Sequence, residues 1–323
     1  MGALASRLGK RDAMEVIPAA DEVDAPAVSV VALPNELLQH IFSQLCNVLD
    51  PGIALAFGSV SNGLRTATQA LQRKLKTDHE AAAALCLKVG LRSCKELRAA
   101  TRVVWHSKGL TAADLGLLGR LGSVLPALES LHIYEDSVGL DGVQRFEDSV
   151  GLDGVQRLAE GLGAGALPAV TWFQLLSMHM GDAGTSALAA ALGRGALPRL
   201  QLLALCNAAI GDAGLVALAP ALRRLPALDN LILDGNPLGD EGLAALVAPP
   251  PPAGAPPPTT GGLAKLKTLD LSRTKITDAG CDALAAALDG GALPALNHLH
   301  LHRIPASTRA IHAVYWHAGL RLY

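Results

Sequence analysis

The chain has 323 residues and a net charge of −2, with 27 basic against 29 acidic side chains. That balance gives no overall field to attract nucleic acid or an acidic membrane. Half of the residues are hydrophobic but only 3% are aromatic, so the core is built from Leu, Ala and Val. Such a core suits stacked regular elements better than an irregular enzyme interior. The five cysteines, Cys46, Cys86, Cys94, Cys206 and Cys281, contain no CxxC pair. Zinc-ribbon and thioredoxin chemistry therefore find no support, and scattered free thiols fit a reducing compartment, the cytoplasm or the nucleus.

Residues 1–28 are polar, alanine-rich and without periodicity, and read as a disordered lead-in. They lack the apolar stretch of a secretory signal, and no run of about 18 apolar residues marks a membrane span anywhere. The opening MGALAS matches the pattern for myristoylation of Gly2, with Arg7, Lys10 and Arg11 close behind. One acyl chain binds membranes weakly, and a chance match to a short pattern is the other reading.

Residues 29–98 form a helical region. Leu33, Leu37, Leu38, Ile41, Phe42 and Leu45 recur at the spacing of one helical face, and Pro34 suits its first turn. Pro51 marks a break. A second helical stretch carries Ala54, Leu55, Phe57, Val60 and Leu64, and residues 66–98 read as further helices leading onward.

Residues 99–323 repeat. The segments beginning at Val170, Leu200, Leu228 and Leu266 share one grammar: apolar residues at the first, fourth and sixth positions, another apolar residue five further on, then Asp-x-Gly. A Leu/Ala-rich tract follows, with Leu188, Leu218, Leu246 and Leu284 four residues beyond each Gly. The pattern predicts a strand of four to six residues, a turn and a returning helix, about seven times over. Asp182, Asp212, Asp240 and Asp278 stand at the helix starts, where each is expected to cap its own helix. Gly184, Gly214, Gly242 and Gly280 allow close stacking. Pro168, Pro198, Pro226 and Pro294 are expected to mark helix ends.

Two intervals exceed the 28–30-residue period. YEDSVGLDGVQR (134–145) is followed at once by FEDSVGLDGVQR (146–157), a duplication placed at a strand-to-helix turn, where added length costs little. The helix resumes with RLAEGLGAGALP (157–168). The second is APPPPAGAPPPTTGG (248–262), either a semi-rigid solvated loop or a polyproline ligand for SH3- or WW-type domains.

The run LDNLILDGN (228–236), the period and the alternation together resemble leucine-rich repeats of the ribonuclease-inhibitor type, over about residues 97–323. The family's Asn is kept only at Asn236; Met178, Ala208 and Thr274 stand in its place elsewhere. The resemblance implies a horseshoe solenoid with a concave strand face. LPNELLQHIFSQL (33–45), with the following ALAFGSVSNGLR, resembles an F-box, although the tryptophan expected near Gly63 and Leu64 is absent. That resemblance implies docking of a Skp-type adaptor through Leu33, Pro34, Leu37, Leu38, Ile41, Phe42 and Leu45. A helical cap over the first repeat is the competing reading.

The concave positions are Trp172, Gln174, Asn207, Asn230, Asp234, Lys267, Asp270, Arg273, His298, His300 and His302. Trp and Arg are favoured interface anchors. The three histidines alternate on one strand face, about 7 Å apart, which is awkward for one tetrahedral metal and suits partner contact or simple surface polarity. No phosphate loop, HExxH or other catalytic motif is present. The expectation is a non-catalytic protein-binding protein without cofactor: a substrate receptor of a cullin-type ubiquitin ligase. The alternative is a scaffold or enzyme regulator. A GTPase-activator role would need an arginine positioned near the concave rim, for which Arg273 is the candidate.

Overall fold

A computed structural model describes residues 33–106, 108–135, 151–248 and 263–320. Gly2, most of the duplicated block and the proline-rich segment lie outside the described residues.

Four helices come first: α1 (Asn35–Leu45), α2 (Gly52–Ser59), α3 (Asn62–Val89) and α4 (Cys94–Ala99). Phe42, fully buried, packs with Ala54 and Leu75 in a small core, and Leu45, Leu55, Phe57 and Leu71 lie against it. The second helical stretch is broken at Ser61, whose hydroxyl accepts the Leu64 amide and starts α3. At 28 residues, α3 spans about 42 Å at 1.5 Å per residue. Its early turns belong to the small core. Ala82, Leu85, Cys86 and Val89 near its end belong instead to the core of the repeats, together with Leu97 of α4. A Lys88–Asp114 ion pair at 2.6 Å ties α3 to the first repeat. Burial raises the Asp114 pKa, but hydrogen bonds from Lys88 and Thr111 outweigh it and leave the carboxyl below its ordinary value.

Seven strands then form one parallel sheet in chain order, β1 (Arg102–His106), β2 (Ser130–Tyr134), β3 (Trp172–Leu176), β4 (Leu202–Ala204), β5 (Asn230–Ile232), β6 (Thr268–Asp270) and β7 (His298–His300). Each is followed by a helix: α5 (Ala112–Leu121), α6 (Gly151–Gly161), α7 (Gly181–Gly193), α8 (Asp212–Leu222), α9 (Asp240–Val247), α10 (Asp278–Asp289) and α11 (Thr308–His317). Successive helices pack on one side of the sheet. This is the strand–helix solenoid expected from the repeat grammar. The apolar positions of that grammar are inside: Leu200, Leu203, Leu205 and Ile210 are at most 1% exposed, and their equivalents from Leu266 to Ile276 are fully buried. Burying each such side chain is worth about 1.5–3 kcal/mol, and each repeat meets the next, so the core is continuous.

Three details differ from the sequence reading. The last four strands are three residues long. The backbone ladder nonetheless continues past them, as in Asn207 N–H to Asp234 O and Arg273 N–H to His302 O. Helix α6 begins inside the second duplicated copy, at Gly151 rather than Arg157. The prolines do not end the helices: α7 stops at Gly193, and Gly195 and Leu197, both left-handed (φ 91° and 55°), turn the chain before Pro198. Gly195 adopts that conformation at no steric cost.

The fourth difference concerns the aspartates. None of Asp182, Asp212, Asp240 and Asp278 caps its own helix. Each reaches the start of the next repeat. Asp182 Oδ1 accepts the Gly211 amide at 2.7 Å. Asp212 Oδ1 accepts both Gly239 and Gly242 amides, at 2.7 and 2.8 Å. Asp240 takes the Thr277 amide and hydroxyl, and Asp278 takes those of Ser307. At the starts of α8, α9, α10 and α11 one or two amides are thus met from the repeat before, where the carboxylate also complements the helix dipole, while Thr277 and Ser307 add caps of their own to α10 and α11. The glycines complete the device. A Cβ at Gly242 would lie 2.7 Å from Asp212 Oδ1, and one at Gly214 2.5 Å from Asp182 Oδ1. Asp and Gly of neighbouring repeats therefore form one interlocking pair.

Asn236, 1% exposed, is a second tie. Its carbonyl accepts the amides of Ala208 and Ile210, one repeat back, and its amide donates to Leu205 O and Leu233 O at 2.6 and 2.7 Å.

Urea melts will show Asp212→Ala losing about 1–2 kcal/mol, the magnitude of a lost helix cap. Gly242→Ala will also destabilise, by about 1–3 kcal/mol of overpacking. The double variant will lose less than the sum, because the carboxylate that the new methyl group strikes is gone. Asn236→Leu will cost about 3 kcal/mol or more, since four buried backbone groups lose their partner. Asp278 has a lowered pKa, through the Ser307 amide and then its hydroxyl. Its contribution is therefore complete above the unfolded carboxyl value and lost as pH falls through the folded one; Asp278→Asn will flatten the acid limb of the stability profile.

Candidate functional site

The strand register stacks side chains in columns. One column, from Leu131 through Phe173, Leu203, Leu231 and Leu269 to Leu299, is buried toward the helices. The columns on either side of it face away from the helices, on the open face of the sheet, because alternate residues of a strand point to opposite sides. Ser130, Trp172, Leu202, Asn230, Thr268 and His298 share one of them. His132, Gln174, Ala204, Ile232, Asp270 and His300 share the next.

Trp172 is 47% exposed, a large aromatic held open in the middle of this face. Gln174 beside it is half-buried in a polar network. His132 Nδ1 lies 2.8 Å from Gln174 Oε1, the Tyr134 hydroxyl donates to the same oxygen at 3.1 Å, and Ser130 Oγ meets His132 Nε2. His106 packs edge-on to Tyr134, with centroids 5.8 Å apart. Burial lowers the His132 pKa against the hydrogen bond with Gln174, and so favours the neutral ring. Ser130, His132 and Gln174 are the nearest the described residues come to a nucleophile–base–orienter chain. Ser130 and His132 lie on β2 and Gln174 on β3, strands each paired on both sides, whose amides are taken up by the ladder, so these strands offer no amide pair to an oxyanion.

The sequence reading missed His106, Ser130, His132 and Tyr134. They belong to the first two repeats, outside the four segments that share the full grammar, and only strand alternation, as in SLHIY for the last three, marks them.

The second half of the face is charged. Arg273 grips Asp234 with two nitrogens, Nε at 2.8 Å from Oδ1 and Nη2 on Oδ2, and that bond raises the arginine's pKa. Arg273 is therefore held in an ion pair with its guanidinium still partly exposed. Arg273 and Asn207 also lie beyond the strands, at equivalent left-handed turn positions with φ 55° and 49°. Lys267 sits one residue before β6 and pairs with Asp229 at 3.3 Å, an exposed pair worth little. Asp270 accepts the Ser272 amide. His298 bonds Asn297 at 2.6 Å, and the rings of His300 and His302 are 5.9 Å apart. Among the described residues no His, Cys, Asp and Glu cluster is arranged to hold a metal.

The seven α1 positions divide. Leu38 and Phe42, 3% and 0% exposed, are inside the small core, so they build the unit and are not presented to a partner. Leu45 packs against the same core, and Leu33 and Ile41 are half-buried. Leu37, 49% exposed, and Pro34 face out. Ile53 and Val60, 66% and 73% exposed, add apolar surface from α2 and just after it.

A cavity of about 550 Å³ lies among the helices, bounded by Ala248, Leu263 and Leu293, with Arg223 as its one charged side chain. The cysteines are all free. Burial pushes Cys86 up to about 12 and Cys206 and Cys281 up to about 11, the wrong direction for a nucleophile. No helix among the described residues is long and apolar enough to cross a membrane.

A leucine-rich-repeat family model matches residues 229–247 and 262–285. No curated protein matches the chain. Among solved structures the chain is similar to the Rad7 and Elc1 complex of yeast, at 15% identity over 89% of this chain and 74% of that one, with a TM-score of 0.33. It is also similar to the internalin InlF of Listeria monocytogenes, at 12% identity over 74% of this chain and 92% of that one, with a TM-score of 0.26. The repeated strand and helix and their register give the chain the architecture of a leucine-rich-repeat solenoid, and the matched residues fall on its fifth and sixth strand–helix units.

Thiol titration near neutral pH will find Cys86, Cys206 and Cys281 unreactive in the folded chain and reactive in denaturant; fast labelling of Cys206 in the native state would contradict the burial described.

Proposed function

We propose that this leucine-rich-repeat protein is a non-catalytic interaction module, a substrate receptor that joins a Skp-type adaptor of a cullin ubiquitin ligase to a target protein. The adaptor would meet Pro34, Leu37 and Ile41 on α1, with Ile53 and Val60 beside them. The target would meet the open face of the sheet, with Trp172 as its anchor. The role is tethering, which raises the effective concentration of the target near the ligase without any chemistry by this chain.

One observation carries the reading: the first helices have a core of their own, distinct from the core they cap. A pure cap needs an apolar surface only toward the first repeat. The end of α3 and α4 supply that surface. The Phe42 core is a cluster of its own, and Leu37, Ile53 and Val60 of the same helical unit are exposed. The long α3 then acts as a rigid spacer, because its two ends are fixed in different cores. Exposed Trp172 is the kind of aromatic anchor that dominates interface energy. The chain would work in the cytoplasm or nucleus, where such an adaptor is found.

The competing reading makes the protein a scaffold whose first helices bind nothing. The two separate in a pull-down from cell extract, using the whole chain and Leu37→Asp. Leu37 is exposed, so the variant will keep its melting temperature within a few degrees while losing adaptor and cullin and retaining other partners. Identical partner lists without an adaptor would leave the scaffold.

A further inference from the structure

The first edge of the sheet is open. β1 pairs on one side only, with β2. Thr101 O, just before β1, accepts the Glu129 and Ser130 amides. In a parallel ladder the N–H and C=O of one residue point the same way, and those of the next residue point the other way. Val103 and Trp105 therefore bond β2, as Thr101 does, and Arg102, Val104 and His106 turn their backbone outward. Among the described residues no hydrogen bond reaches the outward N–H and C=O groups of Arg102 and Val104. Both residues are exposed, Val104 to 45%. β7 differs: Leu299 O accepts the Tyr315 hydroxyl at 2.8 Å, so α11 is fastened over that strand.

A row of unpaired amides and carbonyls along an exposed strand is a template for another extended chain. The outward groups recur every second residue, about 7 Å apart, which matches an extended backbone. A helix cannot answer them, because its own amides and carbonyls are spent within it. β1 has no proline, and its register with β2 is unbroken from Arg102 to His106, so no bulge twists the edge away. An apolar residue, Val104, stands at its centre.

We propose that β1 receives an extended segment of a partner protein as an added strand, hydrogen-bonded to the outward groups of Arg102 and Val104, with an apolar side chain beside Val104 on the open face. The main chain supplies the affinity and the alternate side chains the selection. Two other occupants fit less well. A second copy, paired antiparallel about Val104, would set Arg102 of each chain against His106 of the other, with no carboxylate to join them. The chain's own β-branched stretch AVSVV (27–31) leads into Leu33 and α1. Gln39 of α1 donates to Ala67 O at 3.0 Å, and Val48 O meets His79, so α1 starts beside the end of α3 that is away from the repeats. Ala67 stands about 33 Å along α3 from Val89, at 1.5 Å per residue. Residues 27 to 33 span about 20 Å when extended and do not return to β1. The proposal is independent of what α1 binds.

The test is amide hydrogen exchange by NMR on the whole chain. Alone, the chain will exchange the Arg102 and Val104 amides fast and those of Val103 and Trp105 slowly. A millimolar peptide alternating Thr and Val will slow the first two about tenfold or more. The same peptide N-methylated at every residue keeps its side chains but has no backbone donor, and it will not. Val104→Pro removes an N–H that points away from β2, so the variant will keep its melting temperature within a few degrees and lose the peptide's effect at Arg102. Should that variant melt early, Val104→Lys replaces it: a charge at the centre of the edge will weaken the peptide's effect at Arg102 about tenfold. Slow Arg102 and Val104 amides in the chain alone would mean that a second copy or residues 1–32 already fill the edge, and would overturn the proposal. Equal effects of the two peptides would reduce the site to an apolar contact and overturn it too. So would no effect of either, or an unchanged response in the folded variant.

Discussion

A carboxylate placed across a repeat boundary organises this fold. Each strand–helix unit buries its apolar side only against its neighbours, so the energy of the solenoid lies at the boundaries. Leucine packing supplies most of that energy but little direction. The Asp bonds supply direction: Asp212 on the Gly239 and Gly242 amides, Asp240 on Thr277 and Asp278 on Ser307 set where each helix begins relative to the one before. A shift of one residue would leave the orphan amides unpaired and drive a side chain into the carboxylate. The strand register follows, and so does the columnar order of Trp172, Gln174, Asp270 and His300 on the open face. The open face is ordered by the same bonds that hold the repeats together.

The two ends of the array meet the same problem in different ways. At the first, α3 and α4 close the core with Leu85, Cys86 and Leu97, and the earlier turns of α3 carry a separate unit outward. At the last described repeat, α11 closes the core with Val314 and Tyr315, and Trp316 on the same helix is exposed.

Much of the fold was legible in the residues. The apolar positions of the repeat, the strand order and the helix faces follow from a period and from the alternation of side chains on a strand. What period alone could not settle was which helix each aspartate serves. The spacing places Asp212 at the start of α8 whether it caps α8 or α9, and only the stacking distance between repeats decides. The site was legible in part. Trp172, His298 and His300 fell where alternation put them, whereas His302 lies in the turn just past β7. The Asp234–Arg273 pair was hidden, because its members are 39 residues apart and one sits in a left-handed turn. His132 and its partners were hidden because their repeats lack the signature that drew attention elsewhere. On α1 one apolar stripe was expected to serve one purpose. A stripe that wide wraps past the buried side, so Leu38 and Phe42 went inward while Leu37 stayed out.

Native-state hydrogen exchange on Asp212→Ala, compared residue by residue with the unaltered chain, tests the central claim most directly. If the carboxylate serves the following repeat, the amides of Gly239 and Gly242 will lose protection while those in the first turn of α8 keep theirs. Loss of protection confined to α8, with Gly239 and Gly242 unchanged, would mean that each aspartate caps its own helix and that the repeats are held by packing alone.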